Sequence, residues 1–140
     1  MLKKETKDFM TVHVVAAILE REGRFLCVQR GPHSFGYISY KYEFPGGKVE
    51  PNENEESALV RELKEELSLN ITVKEHFMSV NHKYPDFDLQ MEVFICHTND
   101  PKLFLTEHIT YTWLPPKKML SLDWAAADIP IAQRLFEENV

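Results

Sequence analysis

The stretch that decides the fold is Pro45-Gly46-Gly47-Lys48-Val49-Glu50, then Glu53, then Arg61-Glu62-Leu63-Lys64-Glu65-Glu66-Leu67. Residues 55–67 read as a helix. Asn54 is placed to cap it, and Glu55 and Glu56 suit the positive end of its dipole. Leu59, Leu63 and Leu67 recur every four residues and make an apolar stripe together with Val60. On a wheel at about 100° per residue with Glu62 at zero, Glu66 falls near +40° and Glu65 near −60°. The leucines span roughly 60° to 140°. One face packs, and the adjacent arc concentrates negative charge.

That arc is unfavourable by itself. Like charges at i,i+3 and i,i+4 each destabilise a helix by roughly 0.2–0.5 kcal/mol, and anions in the last turn oppose the dipole by about 0.3–1 kcal/mol each. Lys64 points elsewhere on the wheel, and Arg61 is expected to reach only one side. A divalent cation resolves the crowding, because hard Mg²⁺ prefers carboxylate oxygens. Pro45-Gly46-Gly47 reads as a break whose glycines let the backbone approach a ligand, offering the Gly46 carbonyl to a metal and N–H groups to phosphate.

Outward from this core, residues 11–21 are β-branched and apolar and predict a buried strand, and Glu22-Gly23 turns it into a second strand at 24–30. Residues 31–40 hold Gly, Pro and Ser and read as a loop. Short strands are expected at 42–44 and 111–114, with longer ones at 71–83, where a bend is expected, and 89–97. The last helix is expected at 131–139, with Ile131 and Leu135 inward. Residues 1–10 read as a leader and 11–140 as one domain, of α+β class, a mixed β-sheet packed between helices.

Composition narrows the function. The 140 residues are 44% hydrophobic, enough for a core, but their apolar runs are of strand length only. A lysine- and glutamate-rich start without an apolar segment argues against a signal peptide, so the default expectation is cytoplasmic, without membrane contact. Net charge −6 disfavours binding to a nucleic-acid polymer but leaves a free nucleotide open. Cys27 and Cys96 fall in apolar runs and are expected to be buried free thiols. The six histidines show no paired ligand spacing and are expected on the surface or satisfied in the core.

The spacing of Gly47, Glu53, Arg61, Glu62, Leu63, Glu65 and Glu66 resembles the Nudix signature, and nearly the whole chain is similar to the MutT-type branch. Tyr42 to Glu50, Tyr84-Pro85-Asp86, Trp113 and Ala127-Asp128-Ile129-Pro130 each have a counterpart there. One departure is Ser68, where the family has a glycine that commonly serves a left-handed helix end.

The resemblance implies a Nudix fold and Mg²⁺-dependent hydrolysis, with Mn²⁺ as a substitute, of a nucleoside polyphosphate to a monophosphate and pyrophosphate. It implies metal ligation by the Gly46 carbonyl, Glu62, Glu65 and Glu66, with Glu107 as a further carboxylate. Arg61 would orient the carboxylates, and Glu62, or else Glu107, would be the general base. Gly47 and Arg30 would contact phosphate, Phe44 would line a base pocket, and Asp128 would read the base edge. An ionised Asp128 only accepts hydrogen bonds, which suits cytosine or an oxidised guanine, with a lean towards cytidine. The alternatives are an ADP-ribose or dinucleotide pyrophosphatase and a non-catalytic nucleotide sensor. Monomer and homodimer stay open.

Overall fold

The computed structural model describes residues 10–138. The expected leader lies outside these apart from Met10, as does Asn139 at the expected end of the last helix. Strands β1 (Thr11–Arg21) and β2 (Arg24–Gln29) form the expected hairpin. Its two turn residues, Glu22 and Gly23, both have positive φ, as a tight hairpin of this twist demands. Then come β3 (Tyr42–Glu43), β4 (Gly46–Lys48), α1 (Glu55–Leu67), β5 (Ile71–Lys83), β6 (Asp88–Thr98), β7 (Thr110–Leu114) and α2 (Ile129–Glu138).

The sheet runs β3-β2-β1-β6-β5, with β4 added to β1 and β7 to β2. β1 and β6 pair in parallel from Thr11–Asp88 to Leu19–Cys96, while the other pairs are antiparallel. β1 stays with β2 only at Glu20 and Arg21, then takes β4 as its neighbour at Val14, Val15 and Ala16. β2 meanwhile pairs with β3 and β7. The sheet therefore opens between β1 and β2, and the functional cleft lies there. The expected bend in β5 is present as two register shifts, at Val73/Glu75 and His76/Met78.

Both faces of the sheet are covered, which accounts for the alternation along β1 and β6. Val15, Leu19, Phe94 and Cys96 pack under Leu59, Leu63 and Leu67 of α1. Ala16, Ile18, Met91 and Val93 pack towards Ile131 and Leu135 of α2. Each fully buried leucine contributes about 1.5–3 kcal/mol relative to exposure. Cys27 and Cys96 are free and buried as expected, and burial pushes both thiols up to about 12.

Three expectations need correction. Pro45-Gly46-Gly47 does not break the chain: Gly46 to Lys48 is a strand, with Ala17 N–H donating to the Pro45 carbonyl at 2.8 Å. Its glycines carry no strand preference, and the pairing comes from close approach to β1, since a Cβ on Gly46 would overlap the Val15 carbonyl oxygen. Val60 is not in the packed stripe; it is exposed, and Ala58 is buried instead. The last helix starts at Ile129 rather than Ile131, with Pro130 in its first turn, where a missing N–H costs nothing. Among the described residues no helix is long and apolar enough to cross a membrane.

Candidate active site

α1 is capped as its sequence indicates. The Asn54 side chain accepts from Ser57 N–H at 2.7 Å, and Ser68 ends the helix at φ 57° and ψ 32°. Ser68 and Leu69 N–H groups return to the Lys64 and Leu63 carbonyls, so serine occupies the left-handed position that glycine fills at lower strain.

Arg61 reaches much further than the wheel suggested. Its guanidinium holds Glu53 with two bonds, Nε at 2.7 Å and Nη2 at 2.9 Å. Nη1 donates to Glu62 at 3.0 Å and to Glu65 at 3.2 Å, and Nη2 also donates to the Lys48 carbonyl at 3.0 Å. The helix wheel cannot show Glu53 or Lys48, which arrive from the preceding loop and strand. With Arg61 against it, the Glu53 carboxyl is held down to about 2.

Glu66 has the opposite environment. Among the described residues no ion pair reaches it. Burial first, then the charges of Glu62, Glu107 and Glu43, raise it to about 8. The Glu62 charge weighs most after burial, so Glu66 and Glu62 are neighbours, not splayed. Gly47 forms the floor: a Cβ there would overlap the Glu62 carboxyl group. Glu65 is different, 60% exposed and turned to Arg61. Among the described residues no three His, Cys, Asp or Glu side chains stand as a finished cation cage. The donor set nevertheless fits a divalent ion: hard oxygens, excess negative charge, and a proton held where a cation could replace it.

These residues line a cleft of about 1210 Å³ that also contains Arg30, Phe44, Gly46, Glu107 and Asp128. The sequence-derived candidates thus converge on one cavity. Phe44 is buried and stacks on Trp124 at 4.6 Å, while its N–H donates to Asp128 Oδ2 at 2.9 Å. Asp128 therefore serves β3–β4 rather than capping α2. It is only 5% exposed, and burial, then the Glu43 charge, raises it well above the ordinary range. Burial thus works against the ionised form in which this side chain was read as an acceptor. Trp113 lies apart, under the guanidinium of Arg21.

Sequence reasoning missed Glu43 and His108. Glu43, 21% exposed, meets Arg30 Nη1 at 3.5 Å and His108 Nε2 at 3.0 Å. His108, expected on the surface or satisfied in the core, is 6% exposed in the cleft wall with a buried Nδ1 that has no partner. These residues are 65 positions apart, and no local pattern joins them.

Residues 10–135 match the NUDIX domain. The chain belongs to this family. It is similar to the CTP pyrophosphohydrolase of Escherichia coli (strain K12), 37% identical over 87% of this chain and 89% of that one. An 8-oxo-dGTP diphosphatase of Proteus vulgaris is 33% identical over 63% and 78% of the two chains. The crystal structure of the MutT protein from Methanosarcina mazei Go1 superimposes with a TM-score of 0.84 at 25% identity, over 96% and 99% of the chains. The Nudix fold expected from the helix signature is the fold found.

Proposed function

We propose that this Nudix protein is a nucleoside triphosphate pyrophosphohydrolase, with CTP-type nucleotides as its substrates and a nucleoside monophosphate and pyrophosphate as products. The observation that carries the chemistry is the Glu62–Glu66 pair, two crowded carboxyls above Gly47 in a cleft large enough for a nucleotide. The likeness to a CTP pyrophosphohydrolase over most of both chains supports the cytidine reading.

Nudix hydrolases generally need a divalent metal, and here Glu62, Glu65, Glu66, Glu107 and the Gly46 carbonyl would hold it as Mg²⁺ or Mn²⁺. When bound, the ion supplies charge neutralisation at the phosphates and activation of water. Arg61 fixes the direction of Glu62 and Glu65, leaving the Glu66 side open to the substrate. Arg30 and the β4 backbone at Gly47 line the same cleft and would meet the phosphates. Glu62 is engaged by Arg61, whereas Glu107 is exposed with no ion pair among the described residues. Glu107 is therefore the better placed of the two proposed bases to take the proton of the attacking water. Phe44 and Asp128 hold the base.

The test is pyrophosphate release with Mg²⁺ across CTP, dCTP, 5-methyl-dCTP, UTP, 8-oxo-dGTP and ADP-ribose. Highest kcat/KM on a cytosine nucleotide is expected. Preference for 8-oxo-dGTP or ADP-ribose sinks the cytidine reading, and binding without turnover of any compound sinks the enzymatic one.

A further inference from the structure

β1 and β2 pair only at the hairpin, through Glu20 and Arg21, and the cleft opens towards the N-terminal half of β1. Its far end lies beyond Gln29 on the β2 side and beyond Asp88 on the β6 side. That end is not free. The loop 31–40, which leaves β2, reaches the turn 84–87, which joins β5 to β6, and ties the two halves of the sheet together.

The tie consists of one polar bond and a run of rings. Tyr37 Oη donates to Asp86 Oδ2 at 2.6 Å. Tyr37 stacks on Tyr84 with ring centres 5.2 Å apart. Phe35 stacks on Tyr37 at 5.3 Å and faces Phe87 at 6.4 Å. Tyr84 Oη also accepts from Ala127 N–H at 3.0 Å, which sets the tie beside Asp128, at the end of the cleft assigned to the base. Phe35, Ile38, Tyr84 and Phe87 line the cavity itself.

Each arm is braced within itself. Ile38 and Ser39 N–H groups donate to the Phe35 carbonyl at 2.9 and 3.0 Å, and Tyr84 N–H donates to the Phe87 carbonyl at 2.9 Å. Between the arms, by contrast, Tyr37–Asp86 is the one hydrogen bond among the described residues, and it is exposed. Water competes for such a bond, so its net worth is small and thermal opening is within reach. Two stiff arms joined by a weak contact open at that contact, and a nucleoside held by Phe44 and Asp128 sits behind it.

We infer that Tyr37 and Asp86 form a latch holding a strap across the base end of the cleft, and that the nucleoside enters and leaves when the latch opens. This rests on the reading of the cleft as a nucleotide site and deepens it by naming what controls access to that site.

The experiment mixes the full chain rapidly with CMP in the absence of metal and follows tryptophan fluorescence, Trp124 being stacked on Phe44. Amide hydrogen exchange of both arms is measured beside it, without nucleotide. Tyr37→Phe keeps the ring and removes the donor; Asp86→Asn keeps an acceptor and removes the charge. Association and dissociation rates are both expected to rise about fivefold in Tyr37→Phe, as the loss of one exposed hydrogen bond implies, with Kd unchanged. In Asp86→Asn they are expected to rise about twofold, and the double variant should be no faster than Tyr37→Phe. Exchange should quicken in residues 31–40 and 84–87 together.

Unchanged rates in Tyr37→Phe overturn the inference, even if exchange in the two arms rises together. Faster dissociation alone, with a weaker Kd, also overturns it, because the strap would then hold the ligand rather than admit it. So does faster exchange in one arm only, which means that no latch joins them. Each of these leaves the nucleotide reading standing. Failure of the wild-type chain to bind CMP or CTP removes that reading and the latch with it.

Discussion

Glu53, in the loop before α1, and Glu66, in its last turn, are the same kind of side chain, and the protein treats them in opposite ways. Glu53 is gripped by Arg61 and held ionised, down to about 2. Glu66 is crowded by other carboxylates and driven up to about 8. The difference teaches where function sits. Glu53's charge is compensated within the fold, and Glu66, which on the proposed reading would meet a cation, is left uncompensated.

The sharpest way to break this comparison is Glu66→Gln. Turnover with Mg²⁺ is expected to drop by roughly 10³, the scale of losing one preorganised electrostatic group. The metal-free melting temperature is expected to hold or rise, because repulsion is removed. Wild-type activity in this variant would show that the helix is not the site. Arg61→Lys attacks the compensated side. A lysine cannot bridge Glu53, Glu62 and the Lys48 carbonyl together, so a 10–100-fold loss of activity is expected, as for groups that orient metal ligands. Unlike the first variant, it should also lower the melting temperature.

A subtler effect is the response to pH. Glu66 binds its proton more tightly folded than unfolded, so its contribution is intact below its ordinary 4.5 and is lost as pH rises towards about 8. The metal-free protein is expected to melt at progressively lower temperature across that window. Mg²⁺ should flatten the slope, and Glu66→Gln should abolish it. Absence of any such slope in the wild-type chain would show that Glu66 is not held protonated. Smallest of all, Ser68→Gly should stabilise by about 1 kcal/mol, since it relieves a left-handed serine, and leave turnover alone. A change in kcat would mean that the helix end is coupled to the site.

Legibility followed range. α1, its Asn54 cap, the β1–β2 hairpin and the bend in β5 were readable because each is set by neighbours in sequence. β4 was not, because Gly46 and Gly47 pair for a tertiary reason, the closeness of Val15 and of the Glu62 carboxyl. The wheel placed Glu62 and Glu66 together correctly but could not foresee Arg61 reaching Glu53 and Lys48. Asp128 was picked out by its surroundings in sequence, yet the upward push on its carboxyl follows only from its burial. His108 and Glu43 meet across 65 residues, and no local pattern joins them.

The β4 insertion has a consequence for the size of ligand the cleft accepts. Phe44 and Gly47 are three residues apart, at most about 10 Å of backbone. One end is tied to Asp128, the middle is laced to Ala16 and Ala17, and the other end bears directly on Glu62. The bend at Pro45 is itself held, by the bond from Ala17 N–H to its carbonyl. On the nucleotide reading proposed above, this span would work as a caliper, gauging the reach from a nucleobase to its scissile phosphate against a fixed length of backbone.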